Sequence, residues 1–444
     1  MTRRNMALNV FVYPGGHHEA GWRYNRESST QEFDIAFLKR LAQKAEHAKL
    51  DALFFADGPA LVDDIAHAPR FRLEPLTVLS AISSVTEKIG LIATASTTYY
   101  EPYNLARLFG SLDLVSGGRA GWNIVTTYAK DASANFGRED HPDYQKRYTK
   151  GAEFVEVVTK LWDSWERDAV ISNPEAGIYA DRNKIKAINH DGTHFHVRGP
   201  LNFPRSPQGR PVYVQAGSSE EGKAFAARYA EVIFTAHQEI DTARSFYQDI
   251  NSRARTNGRG NHSVRILPGL SPIIGSTVSE ALQIQAELNA LIQPEYSINQ
   301  LRIITGIDLS GHDIDSPFPM DPLHEAAKTN ASSRFALVSK FIRREKPTIR
   351  TVIERLAGAR GHLVVAGTPE SIADEMQHWF ETGAADGFNI MPPWFPGGLD
   401  DFIGTVVPIL KARGVFRSEY TGRTLREHYD LPPFDPSQGK SGTA

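Results

Sequence analysis

The chain contains no cysteine. That excludes disulfides, thiolate nucleophiles, iron–sulfur clusters and cysteine-bound zinc. It also has little net charge: 49 basic against 52 acidic side chains give −3 with histidine neutral. Nucleic acid and anionic membranes therefore have no global electrostatic case as partners. Long apolar runs are missing, and nothing approaches the ~20 residues that span a bilayer. The short apolar run near the start ends at Pro14-Gly15-Gly16, below the roughly 7–15 residues of a secretory core. The expectation is a cytoplasmic protein without a membrane contact. No strand candidate is followed by Gly-x-Gly-x-x-Gly, so no Rossmann dinucleotide domain is indicated. Gly439-Lys440-Ser441 lacks the upstream glycine of a phosphate loop.

What is present is ordinary globular material: 444 residues, 41% hydrophobic and 23% charged. Strand candidates at 8–12, 52–56, 89–95, 120–126, 211–216, 232–235, 264–274 and 387–391 alternate with helix candidates. The helices fall at 33–48, 74–85, 103–115, 144–165, 219–229, 242–257, 369–382 and 399–413. Thr30 is the candidate cap of the first. The strands are continuous apolar runs, as expected when both faces are buried. Eight βα units predict an α/β fold, a closed (β/α)8 TIM barrel, with an open doubly wound sheet as the competitor. Two stretches exceed a minimal barrel. The first, 171–210, reads as a hairpin excursion. The second, 277–363, begins with a helix and passes through proline-rich turns, as lids and binding insertions do. The expected organisation is one barrel domain over 1–430 and a disordered tail over 431–444.

A barrel carries its site at the C-terminal ends of its strands. Those positions hold His17 and His18, Asp57, Thr94, Asn123, Thr126 and Tyr128, Gly217-Ser218-Ser219, His237 and Trp394. The rim is polar and aromatic but nearly uncharged. It has neither the facing carboxylates of a glycosidase nor the ligand cluster of a metal hydrolase. Gly217-Ser218-Ser219 runs into a helix, and its free N–H groups suit an anion; a plain N-cap explains the same pattern. Tyr144 and Tyr148 lie four apart, so they share a helix face, either for packing or to add hydroxyls to a phosphate site. His194 and His196 share one side of a strand, without a third metal ligand nearby.

Several motifs together resemble the bacterial-luciferase-like flavin monooxygenases, in the branch of nitrilotriacetate and dibenzothiophene-sulfone monooxygenases. They are Gly118-Arg-Ala-Gly-Trp-Asn-Ile-Val-Thr126, Gln215-Ala-Gly-Ser-Ser219 and Gly383-Ala-Ala-Asp-Gly-Phe-Asn-Ile-Met-Pro-Pro393. Asn135-Phe136-Gly137, Val197-Arg-Gly-Pro-Leu-Asn202 and Thr421-Gly-Arg-Thr-Leu-Arg-Glu-His428 follow the same order. The resemblance implies a (β/α)8 barrel that uses reduced FMN (FMNH2) and O2, the flavin supplied by a separate NAD(P)H:flavin reductase. It implies flavin contacts from Asp57, Thr94, Asn123 and Thr126, and phosphate contacts from Tyr148 and Ser219; Tyr144, Gly217 and Ser218 are further candidate cofactor contacts. His17 and His18 are the candidate catalytic groups; Tyr128, His237 and Trp394 are the candidate substrate contacts. Tyr144 and Tyr128 stand where relatives carry histidine. A homodimer or homotetramer is implied, and a metal is not. The competing functions are a deazaflavin-dependent oxidoreductase and a non-catalytic flavin-binding protein.

Overall fold

The computed structural model describes residues 4–24, 34–61, 63–69, 72–127, 130–137, 142–328, 330 and 333–433. The strands in chain order are β1 (Ala7–Val12), β2 (Ala52–Phe55), β3 (Gly90–Ser96), β4 (Ala120–Val125), β5 (Val170–Asn173), β6 (Ile178–Ala180) and β7 (His190–Asp191). They continue with β8 (His196–Val197), β9 (Val212–Gln215), β10 (Val232–Thr235), β11 (Arg265–Ile274), β12 (Leu363–Gly367) and β13 (Gly387–Ile390). β1, β2, β3, β4, β9, β10, β11 and β13 close a parallel ring, with β13 returning to β1. This is the eight-stranded barrel, and the open-sheet alternative falls away. β5–β6 and β7–β8 are two antiparallel hairpins within the 171–210 excursion.

β12 lies outside the eightfold reading. β11 is ten residues long. Arg265–Leu270 pairs with β10 and β13, while Leu270–Ile274 takes Leu363–Gly367 as a partner and runs beyond the ring from Ser271. The 277–363 insertion is more helical than its turns suggested. It carries helices Val278–Ala290, Pro294–Thr305, Met320–Ala326, Ser333–Glu345 and Ile349–Ala359. Leu301, Leu309, Phe341, Ile342 and Val352 build it an apolar core of its own. The first barrel helix, Ile35–His47, is capped by Asp34, whose carboxylate accepts the Ala36 N–H; Thr30 lies outside the described residues.

Alternation within each strand sorts the layers. Leu8, Val10, Leu53, Leu91 and Trp122 face outward against Leu41, Phe109, Phe154 and Trp162 of the helices. Ala7, Ala52, Ile92, Val212, Val214 and Leu267 fill the interior. The C-terminal segment stoppers the base. A capping box of Thr424 and Glu427 starts the helix Leu425–His428. Leu425 then enters the barrel so closely that a Cβ on Gly90 would fall 2.3 Å from its side chain. The Tyr429 hydroxyl donates to Asn9 Oδ1 at 2.7 Å. Ion pairs Asp51–Arg417 (2.6 Å) and Glu231–Arg426 (2.7 Å) flank this plug.

Candidate functional site

The opposite end of the barrel is open and differently built. After β1 the chain turns through Gly16, at φ 98°, where a Cβ would fall 2.4 Å from the Pro393 carbonyl oxygen. This close approach lets the His17 and His18 N–H groups donate to the Pro392 and Pro393 carbonyls at 2.9 and 3.1 Å. The loops after β1 and β13 thus form one rigid lip.

Both imidazoles on that lip are buried and neutral. His17 Nε2 lies 2.8 Å from the Phe11 carbonyl, so it carries the hydrogen; Nδ1 then accepts from Arg360 Nη2 at 2.6 Å. Burial, then the Arg360 charge, lowers its pKa well below the usual histidine value. His18 Nδ1 accepts the Ala20 N–H at 3.1 Å, which leaves Nε2–H to donate to Asn289 Oδ1 at 3.2 Å. Burial lowers the pKa of His18 to about 4.

Along β2, β3 and β4 the rim is a relay of polar groups. Asp57 is half-buried, accepts the N–H of Gly58 at 2.8 Å, and has its pKa raised by burial. It lines a cavity of about 490 Å³ with Arg72, Ser96, Tyr99, Tyr100 and Phe136. The Thr94 hydroxyl donates to the Phe55 carbonyl and accepts from Asn123 Nδ2, both at 2.8 Å. Asn123 Oδ1 is buried and has no partner. Thr126 follows, half-buried, its carbonyl taking the Thr98 hydroxyl at 2.8 Å. Thr127 sits at φ 48°, a strained conformation for a β-branched residue.

Helix Tyr144–Trp162 begins beside this strand end, since a Cβ on its Gly151 would meet Thr97 Oγ1 at 3.1 Å and Thr126 Cγ2 at 3.4 Å. One turn earlier Tyr148 packs edge-on against Phe225, with ring centroids 5.8 Å apart. Phe225 belongs to helix Glu220–Tyr229, whose N-cap is Ser219. The Ser219 hydroxyl accepts the Gly222 N–H at 3.1 Å, as an N-cap does. Gly217 and Ser218 are half-buried in the turn before it. Tyr148 therefore packs on the helix that the Gly217-Ser218-Ser219 turn begins. The Tyr144 side chain and all of Tyr128 lie outside the described residues.

His237, after β10, has a ring centroid 5.1 Å from that of Phe246 and an unpartnered Nε2; burial lowers its pKa to about 4. Trp394 is turned into apolar packing with Ile273, Leu288 and Tyr24, where the insertion meets the rim.

The structure adds His362, Ser271 and Asn389, which the strand-end rule does not reach, beside Gln215 and Thr235 at the ends of β9 and β10. His362 stacks on Phe234, with centroids 4.8 Å apart and planes within 4°. Burial lowers its pKa to about 3. Gln215 Oε1, Thr235 Oγ1, Ser271 Oγ, Asn389 Oδ1 and His362 Nδ1 are all buried without partners. Polar residues inside the apolar runs of β9 and β13 signal Gln215 and Asn389. Gly269 inside β11 signals a close neighbour: a Cβ there would fall 2.4 Å from His362 Nδ1. Among the described residues, no group of three or more His, Asp or Glu is placed to hold a metal.

Buried polar atoms normally find partners. A set of neutral acceptors and hydroxyls left open at a barrel mouth suits a polar organic ligand that supplies the missing half of each bond. The insertion is tied across this mouth by Asn289 to His18, by Ser297 to Glu19 at 2.6 Å, and by Arg355 to Gln238 at 2.9 Å.

Comparison with known proteins follows this geometry. A family model described as luciferase-like monooxygenase matches residues 17–386. N-acetyl-S-(2-succino)cysteine monooxygenase of Bacillus subtilis is 48% identical over 431 residues, 97% of each chain. Nitrilotriacetate monooxygenase component A of Aminobacter aminovorans is 44% identical, again over 97% of each. A solved structure of riboflavin lyase with modified FMN and riboflavin is 33% identical with a TM-score of 0.84. That match covers 99% of this chain and 96% of that one.

Proposed function

We propose, starting from a chain that belongs to the luciferase-like monooxygenases, which are flavin-dependent enzymes, that it is the oxygenase of an FMNH2-dependent two-component system. The observation that carries this reading is a set of neutral, buried, unpartnered polar atoms in the C-terminal halves of β4, β9, β10 and β13: Asn123 Oδ1, Gln215 Oε1, Thr235 Oγ1 and Asn389 Oδ1. A flavin ring edge alternates hydrogen-bond donors and acceptors, so these groups and the Thr94 hydroxyl fit it. An orphaned acceptor gains a partner when such a ring binds.

Asp57, Thr94, Asn123 and Thr126 are assigned to the ring. Tyr148, Gly217, Ser218 and Ser219 are assigned to the phosphate, joined by Tyr144 at the start of the same helix. Their hydroxyls and the helix N-terminus would hold the anion with little formal charge. Bound reduced FMN supplies the two electrons that activate O2, so that one oxygen atom enters the substrate and the other leaves as water. The chain's own task is to position the reactants and keep bulk water out. The insertion helices, fastened to the loops after β1 and β10, serve the exclusion. Neutral His17 holds the lip through Phe11 and Arg360. Of the two histidines, His18 has the longer side-chain bond, 3.2 Å to Asn289, and its Nε2–H is the hydrogen-bond donor assigned to the oxygenation step. His237, Trp394 and Tyr128 are kept as substrate-side residues. The first relatives are named for amine and thioether compounds, and oxygenation with C–N or C–S cleavage is the reaction class proposed here. "Component A" in a relative's name supports a partner component, read as a flavin reductase.

The test supplies the purified chain with FMN, NADH, a flavin reductase and 18O2, together with amine and sulfur substrates. One labelled oxygen atom per product is expected. Flavin binding with no labelled product from any of them contradicts the oxygenase reading. Replacing His18 with alanine should cut product formation at least tenfold and leave the FMN dissociation constant within about twofold.

A further inference from the structure

The loop that leaves β4 turns on an unfavourable residue. Thr127 follows Thr126 at the strand end and sits at φ 48°. Glycine or asparagine usually takes this conformation, because a β-branched side chain crowds its own backbone there. Such a residue persists where its surroundings over-determine it. Two contacts hold Thr127. Its hydroxyl donates to Ser96 Oγ at 2.7 Å, and its carbonyl accepts from Arg147 Nη1. A glycine would make the turn freely but has no hydroxyl to give.

Both partners are themselves fixed. Ser96 is buried at the end of β3, and its Oγ accepts the Thr98 N–H at 3.1 Å. The Thr98 hydroxyl donates in turn to the Thr126 carbonyl at 2.8 Å, and the Thr97 N–H to the Val125 carbonyl at 2.9 Å. The ends of β3 and β4 are therefore stitched together on both sides of Thr126. Arg147 is buried in the first turn of helix Tyr144–Trp162, one residue before Tyr148. One turn on, Gly151 lets the helix close on the same stitched ends, at Thr97 and Thr126. The helix also carries Tyr148 onto Phe225 of the helix that Ser219 caps. A continuous line of contacts thus runs from Thr126 through Thr127 and Arg147 to Tyr148.

We infer that Thr127 is a positioning residue for the cofactor: held by Ser96 and Arg147, it fixes the spacing between Thr126 on the ring side and Tyr148 on the phosphate side, so that one flavin phosphate engages both. This rests on the FMN reading of the site. A ligand that reaches two places gains fully from both only when their spacing is set before it binds. Without the Thr127 hydroxyl the helix stays folded, since Phe154, Val158 and Leu161 still anchor it in the barrel core. What is lost is the fixed distance between the two contacts, and with it the phosphate's contribution to affinity.

The test is anaerobic titration of the full chain with FMNH2 and with reduced riboflavin, which lacks the phosphate. The variants are Thr127→Val, Thr127→Ser and Ser96→Ala. The wild type should prefer FMNH2 about tenfold or more. Thr127→Val keeps the branched shape and removes the hydroxyl. It should weaken FMNH2 about tenfold and reduced riboflavin less than about threefold, so that the preference contracts. Ser96→Ala should act alike, from the other side of the same bond. Thr127→Ser restores the hydroxyl with less crowding and should bring FMNH2 affinity back to within about threefold of the wild type. Melting temperatures should stay within about 3 °C of the wild type, the size expected for one hydrogen bond in a chain this long. The assignment of Thr127 is overturned if the wild type has no preference for FMNH2, if Thr127→Val and Ser96→Ala keep the wild-type preference, or if Thr127→Ser binds no better than Thr127→Val. A wild type that binds neither flavin contradicts the FMN reading itself. A wild type that prefers FMNH2, with the same preference in the variants, contradicts the role of Thr127 alone.

Discussion

The two ends of this barrel solve the same problem in opposite ways. At the base, two buried carboxylates meet arginines supplied by the chain, although His428 Nδ1 there has no hydrogen-bond partner among the described residues. Asp51 meets Arg417, Glu231 meets Arg426, and Arg265 donates to the Tyr429 carbonyl at 2.6 Å. At the mouth, the buried groups are neutral amides, hydroxyls and imidazoles, and several have no partner. Charges buried without counter-charges would unfold the chain. Neutral groups left open cost far less, so they can wait for a ligand. The base therefore reads as stability and the mouth as binding, in keeping with the usual division between the two faces of such barrels.

The largest effect should come from breaking the base. Glu231→Ala leaves Arg426 buried without its carboxylate, and urea unfolding should show a loss of about 3–5 kcal/mol. The same pair should set acid stability. Burial works against the charged form of Glu231, but Arg426 and Arg210 outweigh it and hold its pKa down to about 2. A carboxylate depressed on folding stabilises above its unfolded value and loses that contribution as pH falls through the folded one. Stability should therefore drop by about 3 kcal/mol between pH 4.5 and 2. Glu231→Gln should remove that part of the slope. If the slope is unchanged, the assignment of charge balance at the base is wrong.

The mouth should respond in the other currency. Asn123→Ala removes the unpartnered Oδ1 and the Nδ2–H bond to Thr94, so unfolding should move by about 1–2 kcal/mol while FMN affinity falls about tenfold. A stability loss as large as that of Glu231→Ala would erase the contrast between the two ends. The smallest effects sharpen it most. Thr424 caps the base helix and Ser219 caps the helix at the mouth. Replacing either with alanine should cost about 1 kcal/mol. Only Ser219→Ala should also raise the FMN dissociation constant; equal FMN binding in both variants would make Ser219 a plain cap.

The contrast also explains what could be read in advance. Eight strands stood out because burial on both faces makes them unbroken apolar runs. β12 did not, because Leu363–Gly367 pairs only with the part of β11 that extends past the ring, a fact of tertiary geometry. Asp34 in place of Thr30 as helix cap is a local matter of where the first turn begins. Residues at strand ends, such as Thr94, Asn123 and His237, follow from barrel geometry. Arg72, Arg360 and His362 do not, since loops distant in the chain bring them to the rim. His17 and His18 were visible as polar loop residues, but their neutral form depends on Arg360, Phe11, Ala20 and Asn289. No spacing in the sequence encodes those contacts.

The most direct test of the central claim, that the open neutral groups of the mouth hold reduced flavin, is an anaerobic titration of the wild-type chain with FMNH2, followed by rapid mixing with oxygenated buffer. Saturable binding of one flavin per chain, with a transient absorbance that forms only when oxygen is admitted, is the predicted result. A chain that is folded yet binds neither reduced nor oxidised FMN would contradict the account.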